Sequence, residues 1–311
     1  MKWIKQGLVF APNHNYDWMV SHASVPVVDE VRAGVLRIYF GTRDGVGRSH
    51  LGYVEVEAAR LANLLYVHDQ PLLSLGRRGT FDEGGIVPSW LVNHGTKKYL
   101  YYIGWNAQVT VPYRLAIGLA ISEDGGDSFQ KVSEGPICDR SFDEPFFNTA
   151  PCVLFTGSQW QMWYSSCTGW QIINGVPEAQ YHLKYADSVD GITWRKTGLV
   201  CVEYDDFTKA IGRPAVFHED GLYKMFYSYR GILNYRTDRE QSYRLGYAES
   251  RDGLTWTRRD RDAGIDRSDD GWDSEMIEYS YRYEHQGRKY LFYNGNGFGA
   301  TGFGYAVLDE G

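Results

Sequence analysis

The chain has 311 residues, of which 43% are hydrophobic and 15% aromatic, enough apolar surface for a large buried core. Its formal net charge of −7 argues against a general nucleic-acid binder or a membrane-surface binder, because both need a basic field. No apolar run reaches the length of a membrane-spanning helix, and the first residues, MKWIKQGLVF, lack the pattern of a signal peptide. We therefore expect a cytoplasmic protein that does not span a membrane and does not bind nucleic acid.

One strand pattern occurs five times along the chain. A full copy has an inner run, a short turn, an aromatic-rich strand, a third run, a second turn and a short fourth run, and the fifth copy ends after its third run. The aromatic strands are centred, at spacings of 62, 63, 63 and 66 residues, on Tyr39, Tyr101, Tyr164, Tyr227 and Tyr293. Thirteen residues before these tyrosines lie Pro26, Pro88, Pro151, Pro214 and, in the fifth copy, Ser280. Short strands at even spacing, separated by turn residues, are typical of a β-propeller.

We predict a single all-β domain over residues 1–311, a five-bladed β-propeller with four-stranded antiparallel blades. The blades are expected at about 18–75, 81–140, 142–203, 205–262 and 272–311, with residues 1–10 completing the last one. The fifth copy stops after its third strand, while Trp3–Val9 matches the outer strand Trp194–Val200 of the third copy. We therefore predict that the N-terminal segment pairs with the strand containing Phe303–Val307 and closes the ring, which removes two exposed strand edges.

Three turns share the pattern S-x-D-G and end in an aromatic residue. They lie at Ser122–Phe129, Ser188–Trp194 and Ser250–Trp256. Asp and Gly favour tight hairpins, and Ser and Asp side chains cap backbone N–H groups, so we interpret these turns as structural. The four cysteines have no metal-binding spacing and are predicted to be buried thiols. A disulfide between two of them is an open alternative.

Candidate ligand-binding residues cluster in two sets of segments. In an antiparallel blade, the segment that leads into the inner strand and the loop between the second and third strands lie on the same face. These segments carry aromatic, amide and arginine side chains, which suit the apolar faces, hydroxyl groups and acidic groups of a sugar. The predicted substrate-binding residues are His22, Arg43, Trp105, Asn148, Trp170, Arg213, Arg230 and Asn294. The alternative is that the rings cover the ends of the fold and the arginines pair with neighbouring acids.

Acidic residues in the lead-in segments fall into two groups. An aspartate recurs beside an aromatic residue in every copy, which indicates a structural role: Asp17, Asp82, Asp143, Asp206 and Asp273. Other acids depart from the repeat and are therefore better catalytic candidates: Glu278, Glu83, Glu144 and Glu275. We predict Glu278 as the general acid, with Glu83 or Glu144 as the partner carboxylate. The distance between the two carboxyl groups would then distinguish retention from inversion.

The chain resembles the superfamily of five-bladed propeller enzymes that act on glycosides, which includes glycoside hydrolase families 32, 43, 68 and 130. The resemblance covers the whole chain and rests on inner-strand runs such as RPAVFHEDGLYKMFYS and on the D-G-x-x-W turns. It implies a sugar at the channel mouth and acids on the inner strands. Family 43 has an Asp-Pro pair for the base where this chain has Val25-Pro26, and Glu278 lies at the offset of that family's acid. Of the family 32 signature W-M-N-D-P-N-G, only Trp18-Met19 is present.

Two functions remain open at this stage. The first is a glycoside hydrolase-like enzyme that uses carboxylate acid/base catalysis on a small sugar or sugar conjugate. The second is a non-hydrolytic protein that binds or transfers an acidic or phosphorylated sugar in polysaccharide assembly. Two carboxylates facing each other across the channel would favour the first, and a pocket lined by Arg43, Arg213 and Arg230 with one acid would favour the second. A protein-interaction scaffold would have a flat mouth instead. We predict no cofactor and no metal, with a calcium ion in the channel as the alternative.

Overall fold

The computed structural model describes residues 1–310, and these residues form an almost entirely β structure. The helical elements among them are a short helix, Asn296–Gly299, and one 3-10 turn, Asp260–Asp262. The all-β prediction is therefore confirmed. No helix in residues 1–310 combines the length and apolar character needed to cross a bilayer. The four cysteines are free and buried, as predicted.

Twenty strands are described between residues 1 and 310. In chain order they are β1 (Trp3–Phe10), β2 (Ser21–Arg32), β3 (Val35–Arg43), β4 (Ser49–Glu57), β5 (Arg60–Val67), β6 (Gly85–His94), β7 (Lys97–Ala107), β8 (Tyr113–Ser122), β9 (Gln130–Lys131), β10 (Asn148–Phe155), β11 (Trp160–Ile173), β12 (Val176–Ser188), β13 (Arg195–Val202), β14 (Ala210–Glu219), β15 (Leu222–Arg230), β16 (Arg244–Ser250), β17 (Thr257–Arg258), β18 (Glu278–His285), β19 (Arg288–Asn294) and β20 (Phe303–Leu308).

The strands pair in antiparallel sets of four. One sheet has the order β1-β20-β19-β18. The other two sheets each contain two such sets, β2 to β5 with β6 to β9, and β10 to β13 with β14 to β17. A single parallel bridge links the sets within each of these sheets, Ser49 with Gly85 in one and Tyr181 with Ala210 in the other. Each set corresponds to one copy of the repeat, and we number the copies as units one to five.

The N-terminal strand joins the last unit. β1 pairs antiparallel with β20, from Trp3 opposite Leu308 to Phe10 opposite Phe303. This pairing confirms the predicted partner of the N-terminal segment, the strand that contains Phe303–Val307. Trp3 is buried and its ring contacts Phe226 edge-on, with the ring centroids 5.9 Å apart.

The register of the repeat differs by one residue from the predicted one in the first two units. One equivalent position of the third strand is held, in units one to five, by Gly52, Gly118, Lys184, Gly246 and Gly304. The residues paired with them on the second strands are Phe40, Tyr102, Tyr164, Tyr227 and Tyr293. Tyr39 and Tyr101 therefore belong to the neighbouring position, whose side chains point to the opposite face of the sheet. The prediction was wrong here because adjacent aromatic residues, Tyr39-Phe40 and Tyr101-Tyr102, both fit the pattern.

The S-x-D-G turns are structural, as predicted. Ser188 Oγ accepts a hydrogen bond from Gly191 N at 2.9 Å, and Asp190 Oδ1 accepts one from Thr193 N at 2.7 Å. The turn glycine then binds the preceding unit, because Tyr101 donates its hydroxyl hydrogen to Gly191 O at 2.8 Å. These turns therefore hold neighbouring units together.

Candidate functional site

A cavity of about 520 Å³ lies where the inner strands begin and where the loops between second and third strands converge. All five units contribute to it, as the shared-face argument predicts. Its polar and aromatic lining includes Ser24, Thr42, Arg43, Ser49, Trp105, Tyr113, Phe147, Thr149, Ser165, Tyr181, Arg213, Arg230, Tyr235, Arg236, Tyr243, Tyr279 and Phe298. Aromatic rings next to hydroxyl and guanidinium groups suit a polyhydroxylated ligand.

Five equivalent residues form a ring in this lining. Each directly precedes the proline position of its inner strand: Val25, Val87, Ala150, Arg213 and Tyr279. Four of the five have a left-handed backbone, with φ between 48° and 55°, and Val87 is the exception. In the same four units the strand pairing shifts at this point, as in a β-bulge. Backbone strain of this kind in non-glycine residues concentrates at functional sites, so the ring marks the centre of the candidate site.

The charge of the lining is positive. It contains Arg43, Arg213, Arg230 and Arg236, and no aspartate or glutamate of residues 1–310 belongs to it. Arg236 forms an ion pair with Glu178. Among the described residues, the other three arginines have no carboxylate within ion-pair distance. Unpaired guanidinium groups in a cavity favour a negatively charged ligand.

Arg230 is held rigidly in the wall. Its Nε donates to Tyr243 Oη at 3.1 Å and its Nη2 to Ala179 O at 3.0 Å. Its guanidinium carbon lies 3.7 Å from the centre of the Tyr235 ring. The hydroxyl groups of Tyr243 and Tyr181 share a further short hydrogen bond. This side of the cavity is therefore a preformed cluster of phenol groups around one buried cation.

Glu278 is fully buried directly behind the lining residue Tyr279. Asn294 Nδ2 donates to its Oε1 at 3.0 Å, and its Oε2 has no hydrogen-bond partner among the described residues. Burial raises the pKa of Glu278 to about 8, although the Asn294 hydrogen bond and the charges of Arg230 and Arg43 oppose that rise. The carboxyl group is therefore mainly protonated and neutral at pH 7, the state required of a general acid.

Glu144 belongs to a buried network outside the cavity lining. Its carboxylate accepts hydrogen bonds from Tyr164 Oη at 2.9 Å and Asn148 Nδ2 at 2.7 Å. Lys184 Nζ and Lys196 Nζ lie 3.4 and 3.7 Å from its oxygens. Burial alone would raise the pKa of Glu144, but the charges of the two lysines and the hydrogen bonds from Tyr164 and Ser166 together lower it. Glu144 is thus a fully paired carboxylate.

The same arrangement occurs in two other units. Each combines the strand tyrosine, a buried carboxylate and a lysine from the outer strand: Tyr102, Asp82 and Lys131, then Tyr293, Asp273 and Lys5. Asp143, which the sequence pattern aligned with Asp82, is exposed instead. We therefore assign Glu144 to the scaffold, in the position that Asp82 and Asp273 occupy in their own units.

The remaining predicted residues divide into lining and non-lining positions. Arg43 and Trp105 line the cavity together with Arg213 and Arg230. Outside the lining lie Glu83, which accepts a hydrogen bond from Gly79 N at 2.7 Å, and Trp170, which contacts Tyr113. His22, Asn148 and Asn294 also lie outside the lining. His22 shares a hydrogen bond with Ser21, Asn148 Oδ1 accepts one from Lys196 Nζ, and Asn294 Oδ1 accepts one from Val25 N. Burial, and next to it the charge of Arg43, lower the pKa of His22 to about 4.

Sequence reasoning missed several lining residues. Thr149, Ser165, Tyr181 and Tyr243 all lie within or just before strands of the repeat. The sequence could have indicated them only through their position, near the start of an inner strand or beside that start on the second or third strand. Their residue types alone do not distinguish them from core residues.

Two proteins of Mycobacterium tuberculosis match the whole chain. The uncharacterized protein MT1551 of strain CDC 1551 / Oshkosh is 40% identical over 311 residues, covering 100% of both chains. The uncharacterized protein Rv1502 of strain ATCC 25618 / H37Rv matches with the same identity and coverage. This chain belongs to their family. No protein-family profile matches the sequence.

Solved structures of glycoside hydrolases share the fold. One glycoside hydrolase has a TM-score of 0.73 at 19% identity, over 98% of this chain and 90% of that chain. A thermostable family-43 glycoside hydrolase has a TM-score of 0.67 at 16% identity, over 95% and 90%. The Bombyx mori GH32 β-fructofuranosidase BmSUC1 has a TM-score of 0.58 at 16% identity, over 93% of this chain and 61% of that chain. The fold is therefore glycoside-hydrolase-like.

Proposed function

We propose that this protein binds a small sugar carrying a carboxylate or phosphate group, as a non-hydrolytic relative of the propeller glycoside hydrolases. We also propose that the five units are the blades of one closed propeller ring, which β1 completes. The observation that carries the proposed function is the cavity lining. Arg43, Arg213 and Arg230 line it without paired carboxylates, and no acidic residue within the described part of the chain lines it.

The ring of residues before the proline position supports a binding role over hydrolysis. A glycosidase needs two carboxyl groups on either side of the scissile bond. In this ring the first unit has Val25 where the family 43 resemblance expects the base, and the third and fourth units have Ala150 and Arg213. Glu83 and Glu144, the predicted partner carboxylates, are outside the lining. Aromatic rings such as Trp105 remain available to stack on a sugar face.

The test is equilibrium binding to matched pairs of sugars. Galacturonate is compared with galactose, and glucose 6-phosphate with glucose, by isothermal titration calorimetry. A charge-assisted hydrogen bond contributes about 1.5–3 kcal/mol, so the anionic member of at least one pair should bind roughly 10- to 100-fold more tightly. This preference should decrease as salt concentration rises. Equal affinity for both members of each pair would contradict the proposal.

Hydrolysis is the second candidate, and the raised pKa of Glu278 favours it. A buried, protonated carboxyl next to a sugar-sized cavity can protonate a leaving oxygen. The test is release of nitrophenol from a panel of nitrophenyl glycosides, including glucuronides. Glu278→Gln should then abolish turnover while thermal unfolding confirms that the variant is folded. Turnover that survives Glu278→Gln would exclude Glu278 as the acid, and no turnover of the panel by the wild type would leave the binding role.

A further inference from the structure

One sector of the cavity wall combines three hydrogen-bonding side chains from neighbouring strands. Thr149 on β10 lies opposite Ser165 on β11, and Ser165 Oγ accepts a hydrogen bond from Arg213 N of β14 at 3.1 Å. All three residues line the cavity. The sector therefore lies at the junction of the third and fourth units, on the side of the channel that Arg213 occupies.

Arg213 is a buried cation with an incomplete set of partners. It is 1% exposed, and its Nη1 donates to Pro214 O at 3.2 Å. Its Nε and Nη2 are buried and have no hydrogen-bond partner among residues 1–310, and the same is true of Thr149 Oγ1. The rings of Trp90 and Tyr281 lie 5.4 and 6.0 Å from its guanidinium carbon. Buried charges are normally paired, so an unpaired guanidinium group in a cavity wall indicates a missing anionic partner.

The two unpartnered nitrogens lie on one edge of the guanidinium group. Nε–H and the nearer Nη2–H point in parallel and together match the two oxygens of a carboxylate or phosphate. The protein uses this edge elsewhere, because Arg195 Nε and Nη2 bind the two carboxylate oxygens of Asp187 at 2.9 and 2.5 Å. Burial lowers the pKa of Arg213 to about 10, so the group still carries its charge at neutral pH.

We infer that Thr149, Ser165 and Arg213 form an oxyanion subsite that receives the carboxylate or phosphate of the bound sugar. This inference rests on the proposed function and assigns the ligand's charge to Arg213 instead of Arg43 or Arg230. Arg213 is the one charged member of the ring of residues before the proline position, which places the anion at the centre of the channel. Thr149 and Ser165, which line the same cavity, add hydroxyl groups that can donate hydrogen bonds to an anion.

The experiment combines ligand preference with stability. Preference is the ratio of affinities within each pair, galacturonate over galactose and glucose 6-phosphate over glucose, which also separates a carboxylate ligand from a phosphate ligand. Arg213→Met should abolish the preference, a loss of tenfold or more. It should leave the unfolding midpoint without ligand unchanged or higher, because an apolar residue replaces an unpaired buried charge. Thr149→Val should reduce the preference about fivefold.

Two arginine variants serve as controls. Arg37→Met removes a buried arginine that is paired with Glu55, at 2.7 Å, and should lower the unfolding midpoint strongly. Arg48→Gln changes an arginine outside the lining and should keep the preference. A purely structural role for Arg213 would instead make Arg213→Met behave like Arg37→Met.

The outcomes separate this inference from the proposed function. No preference in the wild type would contradict the proposed function itself. A preference that survives in Arg213→Met and Thr149→Val but is lost in Arg43→Gln would place the anion elsewhere in the cavity and overturn the subsite alone. If Arg213→Met does not fold, Thr149→Val decides: an unchanged preference overturns the subsite, and a reduced one supports it.

Discussion

Replacing Trp3 by alanine tests whether the N-terminal strand is part of the cooperative fold. Trp3 is 7% exposed, while its neighbour Ile4 on the same strand is 45% exposed, so Ile4→Ala is a matched control. Truncating a buried tryptophan costs about 3–5 kcal/mol. The indole Nε1 of Trp3 is buried and has no hydrogen-bond partner in the described part of the chain, and removing it recovers about 1–3 kcal/mol of desolvation. We therefore expect a net loss of about 2 kcal/mol in the free energy of unfolding.

Urea and thermal unfolding, followed by tryptophan fluorescence and circular dichroism, measure this loss. At about 2 °C per kcal/mol for a chain of this size, Trp3→Ala should lower the melting temperature by about 4 °C. Ile4→Ala should change the free energy of unfolding by no more than about 0.5 kcal/mol. Deletion of residues 1–10 should have a larger effect and promote aggregation, because it exposes the edge of β20. Equal effects of Trp3→Ala and Ile4→Ala would refute the reasoning.

Two further predictions concern the acids. Glu144→Ala should lower the free energy of unfolding by about 3 kcal/mol, because it leaves buried partners unpaired. Glu83→Ala should lower it by less than about 1 kcal/mol. Urea unfolding of the two variants measures the difference. Burial raises the pKa of Glu278 from 4.5 to about 8, so the unfolded chain loses this proton first as pH rises. The free energy of unfolding should therefore fall between about pH 4.5 and 8, and Glu278→Gln should remove that part of the pH dependence. An identical pH profile in the variant would exclude the raised pKa.

The strand repeat could be predicted because it is spaced evenly and each copy carries the same aromatic strand. The register of the repeat was harder to predict, because the side chains of a strand alternate between two faces and an error of one residue exchanges the faces. Tyr101 binds the turn of the next unit through Gly191 O, whereas Tyr102 binds the buried Asp82. Both residues are buried tyrosines, so neither composition nor hydrophobicity separates them. Only the strand pairing distinguishes their roles.

The scaffold role of Glu144 shows a similar limit. Asp143 and Glu144 are adjacent carboxylates, and the backbone of the lead-in segment decides which of them turns inward. The inward residue is the one that reaches Tyr164 and the lysines. A comparison of residue types aligned Asp143 with Asp82 and therefore treated Glu144 as a departure from the repeat. Its partners show that Glu144 continues the repeat instead.

The position before the inner-strand proline links the fold to the choice of function. In four of the five units the strand pairing shifts at this point, as in a β-bulge, and in all five units the residue here lines the cavity. This position can therefore hold a catalytic carboxylate, a cation or an apolar group without changing the strands around it. In this chain it holds three apolar residues, one tyrosine and Arg213. A cation at that point would stabilise bound anionic oxygen but could not act as the base of a glycosidase. An arginine at this position of the lining is therefore one reason why the proposed function is recognition of a charged sugar and not hydrolysis.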